Sequence, residues 1–205
     1  MTENEKDPGH SGKDTSRQSV QKAESQAGTP PAGPKGRPYT DVKAEIRSCI
    51  GDMDIELLKE YDEGDHWGFW VQAGNFPIMI DNEKGLAYCL IVLQITLTDK
   101  NAIQSLNRHY RQQDAKFIYE LTRVLTSNRA VYSRIMEGDQ VVGYSIVTYL
   151  YPFHPGFSIR ELDRAIRAVI AVGDVGAAFL KMAIGQTSFD HTPPAGSTEP
   201  GSMYE

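Results

Sequence analysis

The feature that most constrains the fold is an unbroken apolar run, LAYCLIVLQITL, at Leu86–Leu97. It follows the turn-forming residues Asp81–Gly85, and it has the length and composition of a β-strand. Successive side chains of a strand point to opposite faces of the sheet, and here both alternating sets are mostly apolar. One set is Ala87, Cys89, Ile91, Leu93, Ile95 and Leu97, and the other is Leu86, Tyr88, Leu90 and Val92. The run therefore predicts a central strand that needs cover on both faces.

Further strand patterns lie on both sides of this run. Ile55–Tyr61 reads as a short charged strand, with a helix as the open alternative. His66–Ala73 alternates its apolar residues, and Phe76–Asp81 forms a hairpin with the central run. A second hairpin joins Ala130–Glu137 to Val141–Tyr151. Together these segments predict an antiparallel sheet of about five to six strands.

Helical patterns occupy three regions. Apolar residues recur at three- and four-residue steps over about 40–51. After Thr98, which we expect to act as a cap, two apolar stripes are separated by the polar residues 111–114, which predicts two helices or one kinked helix. A last long helix begins with a capping box formed by Ser158 and Glu161. The sheet and these helices together predict an α+β fold.

Two polar segments flank this pattern. Residues 1–38 and 187–205 contain mainly Ser, Gly, Pro, Gln, Thr and charged residues, with few apolar side chains. Such segments cannot bury enough surface to offset the entropy of ordering, so we expect disordered tails. A single α+β domain is predicted between them, over 39–186.

Charge and histidine spacing argue against several functions. The net charge is −6, with acids crowded into 52–65 and bases prevailing over 100–129, so nucleic-acid binding is not expected. The histidines at 10, 66, 109, 154 and 191 include no pair with the spacing of a zinc site. The acids of 52–65 lack the order of a calcium loop. We therefore predict neither a metal nor another cofactor.

The sequence also lacks recognisable catalytic motifs. It contains no G-x-S-x-G turn for a serine nucleophile. Cys49 and Cys89 stand singly in apolar segments, as reduced core thiols of a cytoplasmic protein do. No apolar run is long enough to cross a membrane. We expect a cytoplasmic, non-enzymatic protein, although catalytic residues scattered along the chain would escape this reasoning.

The order of elements and three short motifs resemble a known family. The motifs are Leu106-Asn107-Arg108, the hairpin Arg134–Val147 with Gly138-Asp139 at its tip, and the capped helix Ser158–Asp174. Over about 40–185 the chain resembles the type III secretion chaperone-like fold and, more closely, the YbjN-like family. This resemblance implies a non-enzymatic binding or chaperone-like role, and it supplies no catalytic residues.

The second face of the central strand is the most informative surface. If the Cys89 face packs on the long helices, a set of large apolar side chains lies on the opposite face: Trp70, Tyr88, Leu90, Val92 and Tyr149. Either the first helix covers this face, or it binds a client chain or a second copy in a homodimer. We therefore hypothesise a protein-binding or chaperone-like regulatory module.

One alternative function remains open from the sequence. The protein could be a small-molecule sensor or an enzyme with a pocket between the sheet and the helices. Such a pocket would use polar groups such as His66, His154 or Tyr88.

Overall fold

The computed structural model describes residues 36–184 and the two-residue segment 189–190. In chain order the elements are α1 (Tyr39–Asp52), β1 (Glu56–Glu63), β2 (His66–Ala73), β3 (Phe76–Glu83), β4 (Cys89–Leu97), α2 (Lys100–Arg111), α3 (Ala115–Val124), β5 (Val131–Glu137), β6 (Gln140–Leu150), α4 (Ile159–Ile184) and β7 (Phe189–Asp190). The sheet has the order β1-β2-β3-β4-β6-β5, and all of its strand pairs are antiparallel. The predicted α+β fold is confirmed.

Strand β4 is the central strand that the apolar run predicts. It pairs with β3 on one side and with β6 on the other. Its side chains that face the helices are almost fully buried: Cys89, Ile91, Leu93, Ile95 and Leu97. Leu86, Ala87 and Tyr88 lie in the loop before the strand. Because β4 has a strand on each side and helices over one face, it forms the middle of the core.

The long helix α4 packs closely on its neighbours through two glycines, one against the sheet and one against the end of α3. A Cβ atom at Gly173 would overlap the side chain of Leu93, and one at Gly176 would overlap the side chain of Leu125. The missing side chains let the helix backbone pack on β4 and β6. Glycine in a helix interior costs stability, so these two residues are explained by the close approach.

Helix α1 lies in the same layer as α4. Its buried Val42, Ile46 and Ile50 belong to the apolar cluster that contains the helix-facing side of the sheet. Lys43 pairs at 3.2 Å with Glu60 and at 3.1 Å with Asp62, both on the edge strand β1. The prediction that the first helix covers the second face of the sheet is therefore wrong, because the apolar side of α1 packs beside α4 on the first face.

The helical region after β4 is divided into two helices. Gln113 takes a positive φ of 51°, and the Asp114 carboxylate accepts a hydrogen bond from the Phe117 amide to start α3. The two-helix prediction is confirmed. The prediction that Thr98 caps this helix is wrong. The cap is Asp99, whose carboxylate accepts a hydrogen bond of 3.0 Å from the Asn101 amide, and α2 begins at Lys100.

The segment Ile55–Tyr61 falls mostly within the strand β1, so the strand interpretation is confirmed over the helix alternative. The strand β7, at 189–190, pairs with the end of β4, although it falls inside the predicted disordered tail. The rest of that tail and residues 1–35 lie outside the described residues. No helix in the described part of the chain is long and apolar enough to span a membrane.

We predict that Gly143→Ala lowers the free energy of unfolding by at least about 2 kcal/mol. A Cβ at this position of β6 would overlap the carbonyl oxygen of Ile95, and backbone cannot move aside as a flexible side chain can. The control Gly51→Ala, where a Cβ meets nothing within 4 Å, should leave stability unchanged or raise it by up to about 1 kcal/mol. Urea unfolding measures both, and equal effects would contradict the predicted overlap.

Candidate binding face of the sheet

The second face of the sheet carries large apolar side chains in two rows across the strands. The strand register places Trp70, Met79, Val92, Val147 and Val131 in one row. The next row contains Gly68, Asp81, Leu90 and Tyr149. The structure therefore brings Trp70, Leu90, Val92 and Tyr149, all predicted from the sequence, to a single face.

None of the helices within residues 36–184 packs on this second face. The large apolar residues that they bury belong to the cluster on the other side of the sheet. Val92 and Val147 are buried yet lie outside that cluster. In the strand register they stand next to each other, and Met79 is the neighbour of Val92 on β3. We call this surface the open face.

Exposure differs between the predicted residues. Tyr149 is 49% exposed and Val131, at the end of the same face, is 53% exposed. Trp70 and Leu90 are partly exposed. Val92, between Met79 and Val147 in the register, is only 2% exposed, so its side chain is not itself available for contact.

Three tyrosines form the corner of the open face. The Tyr88 ring packs edge-on against Tyr149 at a centroid distance of 5.3 Å and against Tyr151 at 6.3 Å. Tyr88, the fifth predicted residue, reaches this corner from the loop before β4. Tyrosine rings offer large, rigid contact area with a polar end, which suits them to protein interfaces.

A buried polar centre interrupts the open face. The Asp81 carboxylate is nearly buried, and it accepts a hydrogen bond of 2.6 Å from the Tyr61 hydroxyl. Its other oxygen lies 3.1 Å from Nδ1 of His66. The Tyr61 ring crosses Gly68 to reach it, in space that a Cβ at Gly68 would occupy. Burial and the nearby Asp81 charge raise the pKa of Tyr61 well above its usual value, so the hydroxyl stays a donor.

Sequence reasoning missed this polar centre, although a signal for it was present. Asp81 is the single charged residue in the strand segment FPIMID, and the two-residue turn after Ala73 sets it opposite Gly68. A glycine facing an acid across a hairpin leaves room for a third side chain. The register of the hairpin, once assigned, would have pointed to the site.

The residues of the small-molecule alternative do not meet in a pocket. His66 lies beside Asp81 on the open face, Tyr88 lies in the tyrosine corner, and His154 accepts a bond from the Gly156 amide in a loop. Two surface grooves of about 330 Å³ and 370 Å³ are lined by other residues. Within the described residues, no cluster of three His, Cys, Asp or Glu side chains could hold a metal ion.

Both cysteines are free and buried. Burial raises the pKa of the Cys49 thiol and, more strongly, that of Cys89. A thiol that stays protonated is a poor nucleophile, so these side chains act as core residues.

Comparison with known proteins gives the fold without an activity. No family model matches the chain, and no curated protein matches it significantly. Among solved structures, an uncharacterized protein from Methanothermobacter thermautotrophicus is similar, with 14% sequence identity and a TM-score of 0.59. The match covers 70% of this chain and 99% of that chain. The YbjN-like resemblance therefore stays a prediction.

We predict that Tyr61→Phe lowers the free energy of unfolding by about 1.5–3 kcal/mol, because a nearly buried carboxylate loses its hydroxyl donor. The control Tyr132→Phe removes a hydroxyl that contacts Thr122 at an exposed site, where water replaces it, so the loss should stay below about 1 kcal/mol. Chemical unfolding of both variants measures the difference. Equal losses of unfolding free energy would show that the hydrogen bond to Asp81 stabilises the fold no more than an exposed one does.

Proposed function

We propose that this protein is a non-enzymatic protein-binding module, chaperone-like in action, whose contact surface is the open face. One observation carries the proposal: a sheet face with large apolar and aromatic side chains on both sides of one polar centre, which none of the described helices covers. Large apolar patches on folded proteins generally mark contact sites, because leaving them in water is unfavourable.

The composition of the open face supports protein binding. It combines Trp70, Met79, Leu90 and the tyrosine corner, and aromatic residues and methionine are enriched in protein interfaces. A flat sheet face suits another protein surface better than it suits a small ligand, which needs a concave site. The buried carboxylate of Asp81 is already engaged by Tyr61 and His66, so it supports the shape of the face.

The partner in this proposal is a protein chain, either a client or a second copy that forms a homodimer through the same face. A two-fold contact would place the same patch of each copy against its counterpart. We place the protein in the cytoplasm on the support of two buried cysteines that form no disulfide. The resemblance to chaperone-like proteins agrees with this role.

We predict that the double variant Met79→Lys, Val131→Lys weakens partner association at least about tenfold. Both residues lie on the open face, and an ammonium group buried in an apolar contact loses its hydration. Sedimentation equilibrium measures self-association. Quantitative capture from lysate of the source organism compares the proteins retained by the wild type with those retained by the variant.

The matched control is Val175→Lys, Met182→Lys, which changes the same residue types at exposed positions of α4 in the helical layer. It should behave as the wild type in both measurements. A wild-type protein that sediments as a monomer and retains no partner would contradict the proposed function. A loss of association that is equal in the two double variants would remove the open face as its site.

A further inference from the structure

The two outer edges of the sheet differ in how they are protected. Strand β1 is an edge with five charged residues among its eight: Glu56, Lys59, Glu60, Asp62 and Glu63. Charges on an edge strand discourage the addition of another strand. At the opposite side, β5 carries only Arg134 and Glu137, and it exposes Val131 and Met136.

The end of β6 extends beyond its outer neighbour. Pairing between β5 and β6 begins at Val131 and Val147, whereas β6 continues to pair with β4 as far as Leu150. The chain before β5 turns away, because the Ser127 hydroxyl accepts bonds from the amides of Arg129 and Ala130. The Arg129 carbonyl still lies beside Thr148, because it accepts a hydrogen bond from the Thr148 hydroxyl. Within the described residues, the outer edge of Tyr149 and Leu150 therefore has no strand beside it.

A groove of about 330 Å³ runs along this free edge, between β6 and the first turns of α4. Its lining is mixed, with polar, aromatic and small residues: Arg129, Thr148, Tyr149, Leu150, Tyr151, Glu161, Arg164, Ala165 and Ala168. Arg129 and Arg164 make no ion pair with any residue in the described part of the chain. Their guanidinium groups outnumber the single carboxylate of Glu161, so the groove favours an anion.

We propose that this groove binds an acidic segment of the partner protein, in extended conformation, as an added strand beside Tyr149 and Leu150. Alternate side chains of such a strand point to opposite faces. Those toward α4 would be carboxylates that pair with Arg129 and Arg164, and those toward the open face would be apolar and contact Tyr149 and Tyr151. The inference rests on the proposed function and names the kind of partner segment.

The geometry of the groove agrees with such a segment. Ala165 and Ala168 present small side chains on the helix side, which leaves space for the carboxylates of the added strand. Arginine binds a carboxylate through two parallel hydrogen bonds, and this geometry selects acids over amides. The tyrosine corner joins the groove to the open face, so a single partner can contact both.

The test uses two arrays of synthetic peptides. In the first, glutamate alternates with randomised apolar residues, and in the second, glutamine replaces every glutamate. The full chain should bind the glutamate array, and the double variant Arg129→Gln, Arg164→Gln should weaken the best peptide at least about fivefold by fluorescence anisotropy. The control is the double variant Arg108→Gln, Arg111→Gln, which makes the same change in net charge on α2. It should bind the peptide as tightly as the wild type does.

Backbone pairing is tested with the best peptide N-methylated at alternate residues, in each of the two phases. Methylation of one alternate set of peptide amides should abolish binding, and methylation of the other set should not. The reason is that only one set of amides of an added strand faces β6. Equal binding to the two arrays, or equal loss in both arginine double variants, would overturn the inference. The variant Met79→Lys, Val131→Lys should still bind the peptide, so failure of this inference and failure of the proposed function give different results.

Discussion

The contact between α4 and β4 is the interaction on which the rest of the structure depends. Gly173 lets the helix backbone approach Leu93 of β4, and Gly176 lets it approach Leu125 at the end of α3. Leu93 and Ile95 are almost fully buried beneath the helix. The remaining helices then take their places beside α4 in the same layer, and α1 is held over the β1 edge by Lys43. Because the helices of residues 36–184 all lie on one side, none of them covers the apolar residues on the other side of β4.

The open face is not uniformly apolar, because it contains a hydrogen-bonded polar centre. Asp81, Tyr61 and His66 form a hydrogen-bonded group within a row that also holds Leu90 and Tyr149. A nearly buried carboxylate is tolerable only when its hydrogen bonds are made, so this group fixes the positions of β1, β2 and β3 relative to one another. A partner that binds over such a centre would have to leave the hydrogen bonds of Asp81 intact. This requirement would restrict the orientation in which the partner binds.

Much of the fold could be predicted from the sequence because its signals are local. The apolar run at β4, the alternation in β2 and the polar break near Gln113 each reflect a single element. Strand periodicity also predicts that Trp70, Leu90 and Tyr149 lie on one face of the sheet. The side on which α1 packs could not be predicted, because an amphipathic helix fits either face of a sheet that is apolar on both. The groove at Arg129 and Arg164 was hidden for a related reason: its residues come from distant segments and meet only through the end of the β5–β6 pairing.

The acidic edge strand β1 also limits what kind of assembly this protein can build. A sheet that accepted neighbours at both ends would polymerise, copy after copy, into a fibre. Charged side chains occupy five of the eight positions of β1 and discourage the addition of a strand at this end, so we expect growth through backbone pairing only at the other end. If the proposed strand addition occurs, we therefore expect one added chain per protein, and no continuous fibre.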